Sequence, residues 1–174
     1  TNTLALITGD NISGAAVSSF QNLTLNAAGA LVTMTGGQYN AFTGTITAAG
    51  AADGVTFTDG VTITTTGVTA AGAGIETYAL AAGTTNAVTL GGTGLATQTV
   101  AGSTGTDVVY ATLASATKAV FTANTGTDSL NITGGVTGAF EIGTGATGAG
   151  KMQVTGLENL TITGASTANA LTLT

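Results

Sequence analysis

Gly102-Ser103-Thr104-Gly105-Thr106-Asp107-Val108-Val109-Tyr110 and Gly126-Thr127-Asp128-Ser129-Leu130-Asn131-Ile132 decide how this chain reads. Gly-Thr-Asp occurs in both stretches, 21 residues apart, and each copy runs into an apolar strand pattern. The apolar pair Val120-Phe121 lies about halfway between them. The implied beat is one strand every ~10 or 11 residues, with Gly and Asp marking the turns.

Outward from that centre the beat persists. Apolar centres recur from Tyr78-Ala79-Leu80 through Val88-Thr89-Leu90, Val100, Phe140-Glu141-Ile142, Met152-Gln153-Val154 and Leu160-Thr161-Ile162 to Leu171-Thr172-Leu173. A longer phrase also repeats. Gly74-Ile75-Glu76-Thr77-Tyr78 returns as Gly156-Leu157-Glu158-Asn159-Leu160, 82 residues on. Four coils of about 20 to 21 residues fit that distance, and the Gly-Thr-Asp spacing gives the same coil length independently. The pattern predicts an all-β chain folded as a parallel β-solenoid, with two strands in each coil. An antiparallel β-sandwich is the alternative, because it spaces its strands similarly. Small inward residues, Thr and Asn suited to outer ladders, and the absence of Pro favour the solenoid.

Residues 1–73 are strand-like but less regular, and 74–174 carry the regular repeats. The two are expected to form one continuous domain of a larger chain. Val55-Thr56-Phe57 and Val61-Thr62-Ile63 flank Thr58-Asp59-Gly60, which reads as a tight hairpin or a corner. No stretch shows helical periodicity with capping signals, and Ala114-Ser115-Ala116-Thr117 reads as a small-residue corner.

Composition narrows the function classes. Only 6% of residues are charged and mean hydropathy is +0.46, the reverse of a disordered chain. There is no Cys, so neither a disulfide framework nor a Cys-ligated zinc site is available. There is no His, which removes the commonest general base and metal ligand. Net charge is −6, with Lys118 and Lys151 the only basic residues, which argues against nucleic acid as a partner. No apolar run reaches the ~18 residues of a membrane span. An acidic, oxygen-rich chain suits hard divalent cations.

The stretch Gly102-Ser103-Thr104-Gly105-Thr106-Asp107-Val108-Val109-Tyr110 resembles the calcium-binding nonapeptide of repeats-in-toxin proteins at Gly102, Gly105, Asp107 and Val109. The copy around Gly126, Asp128 and Leu130 has Ala123 and Asn124 where that motif has glycines. Val154-Thr155-Gly156-Leu157-Glu158-Asn159-Leu160-Thr161-Ile162 and Gly74-Ile75-Glu76 are similar to linking phrases of bacterial surface-layer proteins and large secreted adhesins. The resemblance implies a secreted, cell-surface location and bound Ca²⁺. Its ligands would come from Asp107 and Asp128 with the neighbouring Gly105 and Gly126, and Asp53 and Asp59 form a weaker candidate pair. The departure from tandem nonapeptides leaves two carboxylates to supply part of the ~6 to 8 oxygens that Ca²⁺ takes. Without an ion, each Asp caps a turn through backbone bonds.

Other motifs read as strand patterning. Thr43-Gly44-Thr45-Ile46-Thr47 and its relatives are too irregular for an ice-binding face. Asn11, Asn22, Asn131 and Asn159 fit the glycosylation acceptor pattern, three of them inside strand phrases. Glu76 and Glu158 each precede a strand, as ion ligands, subunit contacts or solvated edge charges.

The expected function is therefore structural and non-enzymatic. The chain is read as a self-assembling extracellular protein of a bacterial surface layer or fibre, stabilised by Ca²⁺. It is expected to form homo-oligomers or polymers through strand edges and ends, with a cell-surface glycan as a further partner. The alternative is a stalk or binding segment of a secreted adhesin.

Overall fold

The structure, a computed structural model, describes residues 1–65, 74–92, 97–134, 138–145, 148–164 and 171–174. In chain order its elements are β1 (Thr3–Leu6), β2 (Asn22–Leu25), β3 (Leu31–Met34), helix α1 (Gly36–Ala41), β4 (Ile46–Ala48), β5 (Gly54–Phe57) and β6 (Thr62–Thr64). They continue as β7 (Thr77–Ala79), β8 (Thr85–Thr89), β9 (Thr99–Ala101), β10 (Thr104–Thr112), helix α2 (Leu113–Ala116), β11 (Val120–Thr122) and β12 (Thr125–Gly126). The last are β13 (Ser129–Thr133), β14 (Phe140–Gly143), β15 (Lys151–Thr155), β16 (Asn159–Thr163) and β17 (Leu171–Leu173).

Among the described residues every strand pairing is parallel, and the chain is a β-solenoid. A parallel neighbour must be reached by a crossover, so each coil returns to the same face one layer further on. The register gives the coil length directly. Gly105 pairs with Gly126, so the spacing of the two Gly-Thr-Asp copies is one coil. Thr85 pairs with Thr106, Val108 with Ser129 and Thr99 with Val120, all at that same spacing. Earlier coils are slightly longer, as the pairing of Gly54 with Thr77 shows.

Three sheets result, with β1-β2-β4 in one, the path β16-β13-β10-β8-β6 with β12 beside β10 in another, and β17-β14-β15-β11-β9-β7-β5-β3 in the third. A coil can thus carry three strands where two were expected: β4, β5 and β6 follow one another, one to each sheet. Thr58-Asp59-Gly60 is a corner and not a hairpin turn, since β5 and β6 lie in different sheets. The eight-stranded sheet contains strands from both sides of residue 73.

Alternation along each strand sends one rank of side chains inward. Val32, Val55, Tyr78, Val100, Phe121 and Val154 stack across the eight-stranded sheet, and all are buried. Ile63, Val88, Val109 and Leu130 stack across the six-stranded sheet and are also buried. The two kinds of rank belong to one apolar core.

Both helices are missing from the expectations above. Thr35 accepts the Gln38 N–H and Gln38 bonds back to the Thr35 N–H, a capping box that starts α1. Thr112 and Ser115 form the same reciprocal pair at α2. A chain this poor in helical periodicity still makes a turn of helix where a cap satisfies the first orphan N–H groups.

Two regularities break in the last coils. Ser129 pairs with Asn159 and Val120 with Gln153, and both pairings span well over one ordinary coil of chain. The repeated Gly-x-Glu phrase therefore does not return to its own face: Glu76 leads into β7 of the eight-stranded sheet, and Glu158 into β16 of the six-stranded one.

Close stacking explains the glycines of the central stretch. A Cβ on Gly126, whose φ is +155°, would fall on the backbone of Gly105, and one on Gly105 would meet the Thr84 carbonyl. Gly126→Ala should therefore cost at least ~2 kcal/mol by backbone displacement. Gly14→Ala, with open space at its Cβ, should stay within ~0.5 kcal/mol of the parent. Urea unfolding followed by circular dichroism checks both, and equal midpoints would contradict the steric argument.

Candidate functional site

Asn86 pairs with Asp107 in the register of β8 and β10, and the same step carries Asp107 to Asp128. Successive coils thus place these three residues at one position, and all are fully buried there. They form a ladder in which Asn86 and Asp128 each accept a backbone N–H from the coil before, while Asp107 meets that coil through the Asn86 side chain. The Val61 N–H donates to Asn86 Oδ1 at 3.2 Å, and the Asp107 N–H donates to Asp128 Oδ1 at 2.8 Å. The Asp128 N–H donates to Glu158 Oε2 at 2.7 Å. Asn86 Nδ2 donates to Asp107 Oδ1 at 2.7 Å across one coil, and within its own coil the Ser103 N–H donates to Asp107 Oδ2 at 2.6 Å. A carboxylate held by several N–H donors tolerates burial that an isolated one would not.

A second ladder repeats the device on the other large sheet. The Ala30 N–H donates to Asp53 Oδ1 at 2.6 Å, the Gly50 N–H to Asp53 Oδ2 at 3.1 Å, and the Asp53 N–H to Glu76 Oε2 at 2.9 Å. Both ladders end on Glu for the same reason. The Glu76 N–H turns back to the Asp53 carbonyl at 2.9 Å, and the Glu158 N–H turns back to the Asp128 carbonyl at 3.3 Å. With that N–H engaged, the next coil has no donor to cap.

Asp107 and Asp128 thus stack as expected, with Gly105 over Gly126 beside them. Asp53 and Asp59 are not brought together. They stand at opposite ends of β5, where Asp53 is buried and Asp59 accepts the Gly36 N–H of α1 at 2.8 Å. Asn86, Ser103, Glu76 and Glu158 complete the arrangement. Asn86 was legible as a third member of the column 86, 107, 128, and Ser103 lies within the quoted stretch. The Asn22 side chain, one of the acceptor-pattern residues, instead receives the Thr45 N–H at 2.9 Å.

These oxygens do not fit Ca²⁺ as they stand. Both oxygens of Asp107, Oδ1 of Asp128 and both of Asp53 already accept hydrogen bonds, and two stacked carboxylates supply only part of the ~6 to 8 oxygen ligands that Ca²⁺ takes. Among the described residues no three His, Cys, Asp or Glu side chains are grouped for a metal. The geometry suits capping of backbone donors between coils.

Two buried side-chain oxygens among the described residues lack a partner: Asp128 Oδ2 and Glu76 Oε1, one in each Asp–Glu pair. Burial pushes the Asp128 carboxyl above its ordinary range, and the negative charges of Asp107 and Glu158 add to this against the N–H groups of Asp107 and Asn124. Burial likewise raises Glu76, helped by Asp53. Glu141, on the surface, is lowered by its 2.7 Å ion pair with Lys151.

No protein-family model matches the chain, and no curated protein or solved structure is detectably similar to it. Among the described residues no helix is long and apolar enough to cross a membrane.

The ladder separates two conservative substitutions. Asp107→Asn turns one accepting oxygen toward a donor into a second donor and should cost ~1–3 kcal/mol. Asp128→Asn keeps Oδ1 for the Asp107 N–H while removing a buried charge, and should be neutral or stabilising by up to ~1 kcal/mol. Chemical denaturation of both variants, in millimolar Ca²⁺ and in chelator, checks this. Stability that depends on Ca²⁺ and is lost in both variants would refute the capping role.

The raised carboxyls also set a pH dependence. A group whose folded value lies above its unfolded one stabilises the fold below the unfolded value, and that gain disappears as pH rises through the folded value. The Asp128 and Glu76 contribution should therefore be full below the unfolded values, 3.8 and 4.5, and fall as pH rises through the folded ones. Glu141 acts oppositely, losing its contribution as pH falls, but an exposed pair is worth little. The melting temperature should be higher near pH 4.5 than at pH 7, and Asp128→Asn with Glu76→Gln should flatten the difference. An unchanged pH profile in the double variant would exclude these two groups as its source.

Proposed function

We propose that this chain is a structural, self-assembling extracellular protein of a bacterial surface layer or fibre, as its sequence resemblance implies. The observation that carries the reading is the outer face of the eight-stranded sheet. From β3 through β5, β7, β9 and β11 no strand residue is charged. Its outward ranks are Thr33, Thr56, Ala79, Ala101 and Thr122 beside Leu31, Gly54, Thr77, Thr99 and Val120. Short side chains on a stacked parallel sheet make a flat surface, and flat sheets are stabilised by stacking on one another. The acidic residues of the two ladders are turned to capping between coils. The face is thus left free of the like-charge repulsion that a net charge of −6 would otherwise bring to a contact between copies.

In this reading the ladders stiffen the rod, and the flat faces and strand edges make the lateral and end contacts. Calcium, implied by the resemblance, would act at contacts between copies or at residues other than the hydrogen-bonded oxygens of Asp107 and Asp53. A glycan on the cell surface would be a further partner. The adhesin-stalk alternative shares the rod and differs in needing only end-to-end continuity.

Negative-stain images of the concentrated protein test the proposal. Sheets or ordered filaments are expected, and Thr56→Lys with Thr122→Lys, which charges the flat face, should reduce them to single rods with unchanged circular dichroism. Isolated rods from the parent chain at every concentration would favour the stalk.

A further inference from the structure

We infer that β14 and β15 compete for one place beside β11, and that the C-terminal coils exchange between two strand orders. In the observed order β15 lies next to β11, and β14 lies outside it, next to β17. The chain reaches β14 first. Going from β14 to β15 it steps back toward the start of the sheet, whereas β3, β5, β7, β9 and β11 advance in sequence order.

The register arithmetic shows why the other order is competent. In the observed order Val120 pairs with Gln153 and Glu141 with Thr172, and each pairing spans well over one ordinary coil of chain. Exchange β14 and β15 while keeping Glu141 opposite Lys151. Val120 then meets Glu141 and Lys151 meets Thr172, and both separations become the coil length that joins Thr99 to Val120 and Val108 to Ser129. The exchange slides the strands by two residues relative to β11, an even shift, so inward residues stay inward. Phe121 would stack on Ile142 instead of Val154, and both of those are buried apolar residues now.

Local features lower the obstacle to exchange. The connection at 144–150 contains Gly145, Gly148 and Gly150. An open surface cleft of about 260 Å³ runs along β14, β15 and β17, lined by Phe140, Glu141, Lys151 and Thr172. The Lys151–Glu141 ion pair joins β14 to β15 and survives in either order. Two packings of one sequence that lie close in free energy form a two-state element.

Engineered disulfides distinguish the orders, since the chain has no Cys of its own. Neighbouring parallel strands bring Cα atoms within reach of a disulfide, whereas strands two places apart lie beyond ~7 Å. V120C/Q153C reports the observed order. V120C/E141C and K151C/T172C report the exchanged one. T56C/V120C, on strands separated by β7 and β9, is the control. Under mild oxidation the first three pairs should each cross-link at least roughly tenfold above the control, as interconverting minor and major states allow. In the cysteine-free chain, amide NMR signals of Gly143 and Lys151 should appear as two sets, and the V120C/Q153C bond should remove one. One set of signals in that chain, or cross-links confined to one order, overturns the exchange.

Discussion

Each coil sets its residues directly over those of the coil before it, joined by parallel backbone hydrogen bonds. That constraint governs the rest of the molecule. A residue is judged by its own environment and also by what stands one coil away in the chain. An inward apolar residue must continue an apolar rank, as Val55, Tyr78, Val100 and Phe121 do. A glycine persists where two backbones approach too closely for a Cβ, as at Gly105 and Gly126. The same rule that builds the core therefore writes the repeat.

The carboxylate ladders follow from this geometry at and just inside the starts of strands, where ladder bonding begins and some backbone N–H groups would be left without acceptors. Asp is short enough to cap the preceding coil while leaving its own N–H for the next. Glu, one methylene longer, caps the preceding coil and lets its own N–H turn back to the carbonyl there. Asp thus propagates the ladder and Glu closes it, in both large sheets. Ladder closure leaves one unpartnered buried oxygen in each Asp–Glu pair, and that orphan oxygen is where burial raises a carboxyl. The turn signature that resembles a calcium motif places its carboxylates where they accept hydrogen bonds within and between layers.

Turning the acids toward the corners also shapes the outside. The broad sheet presents small, uncharged side chains over much of its length, while Glu141 and Lys151 pair with each other near its C-terminal end. Stiffness from the ladders and flatness from the small residues are the two properties that the proposed lattice or fibre unit would need. They arise from one composition, poor in charge and rich in Thr, Ala and Gly.

The spacing of Gly-Thr-Asp by itself determined the all-β class, the coil length and the stacking of Asp107 over Asp128. Periodicity is a local property that survives in a linear string, and so does the column 86, 107, 128. The capping boxes at Thr35-Gln38 and Thr112-Ser115 were also present in the string, hidden by the lack of any helical stripe around them. Tertiary structure alone decided three other matters. It set three strands in a coil, because corners are placed by packing and not by strand spacing. It sent the two Gly-x-Glu phrases to different sheets, because one lengthened coil shifts everything after it. It also committed the carboxylate oxygens to backbone donors, because which N–H groups a corner leaves bare depends on the neighbouring coil, and no single coil contains that information.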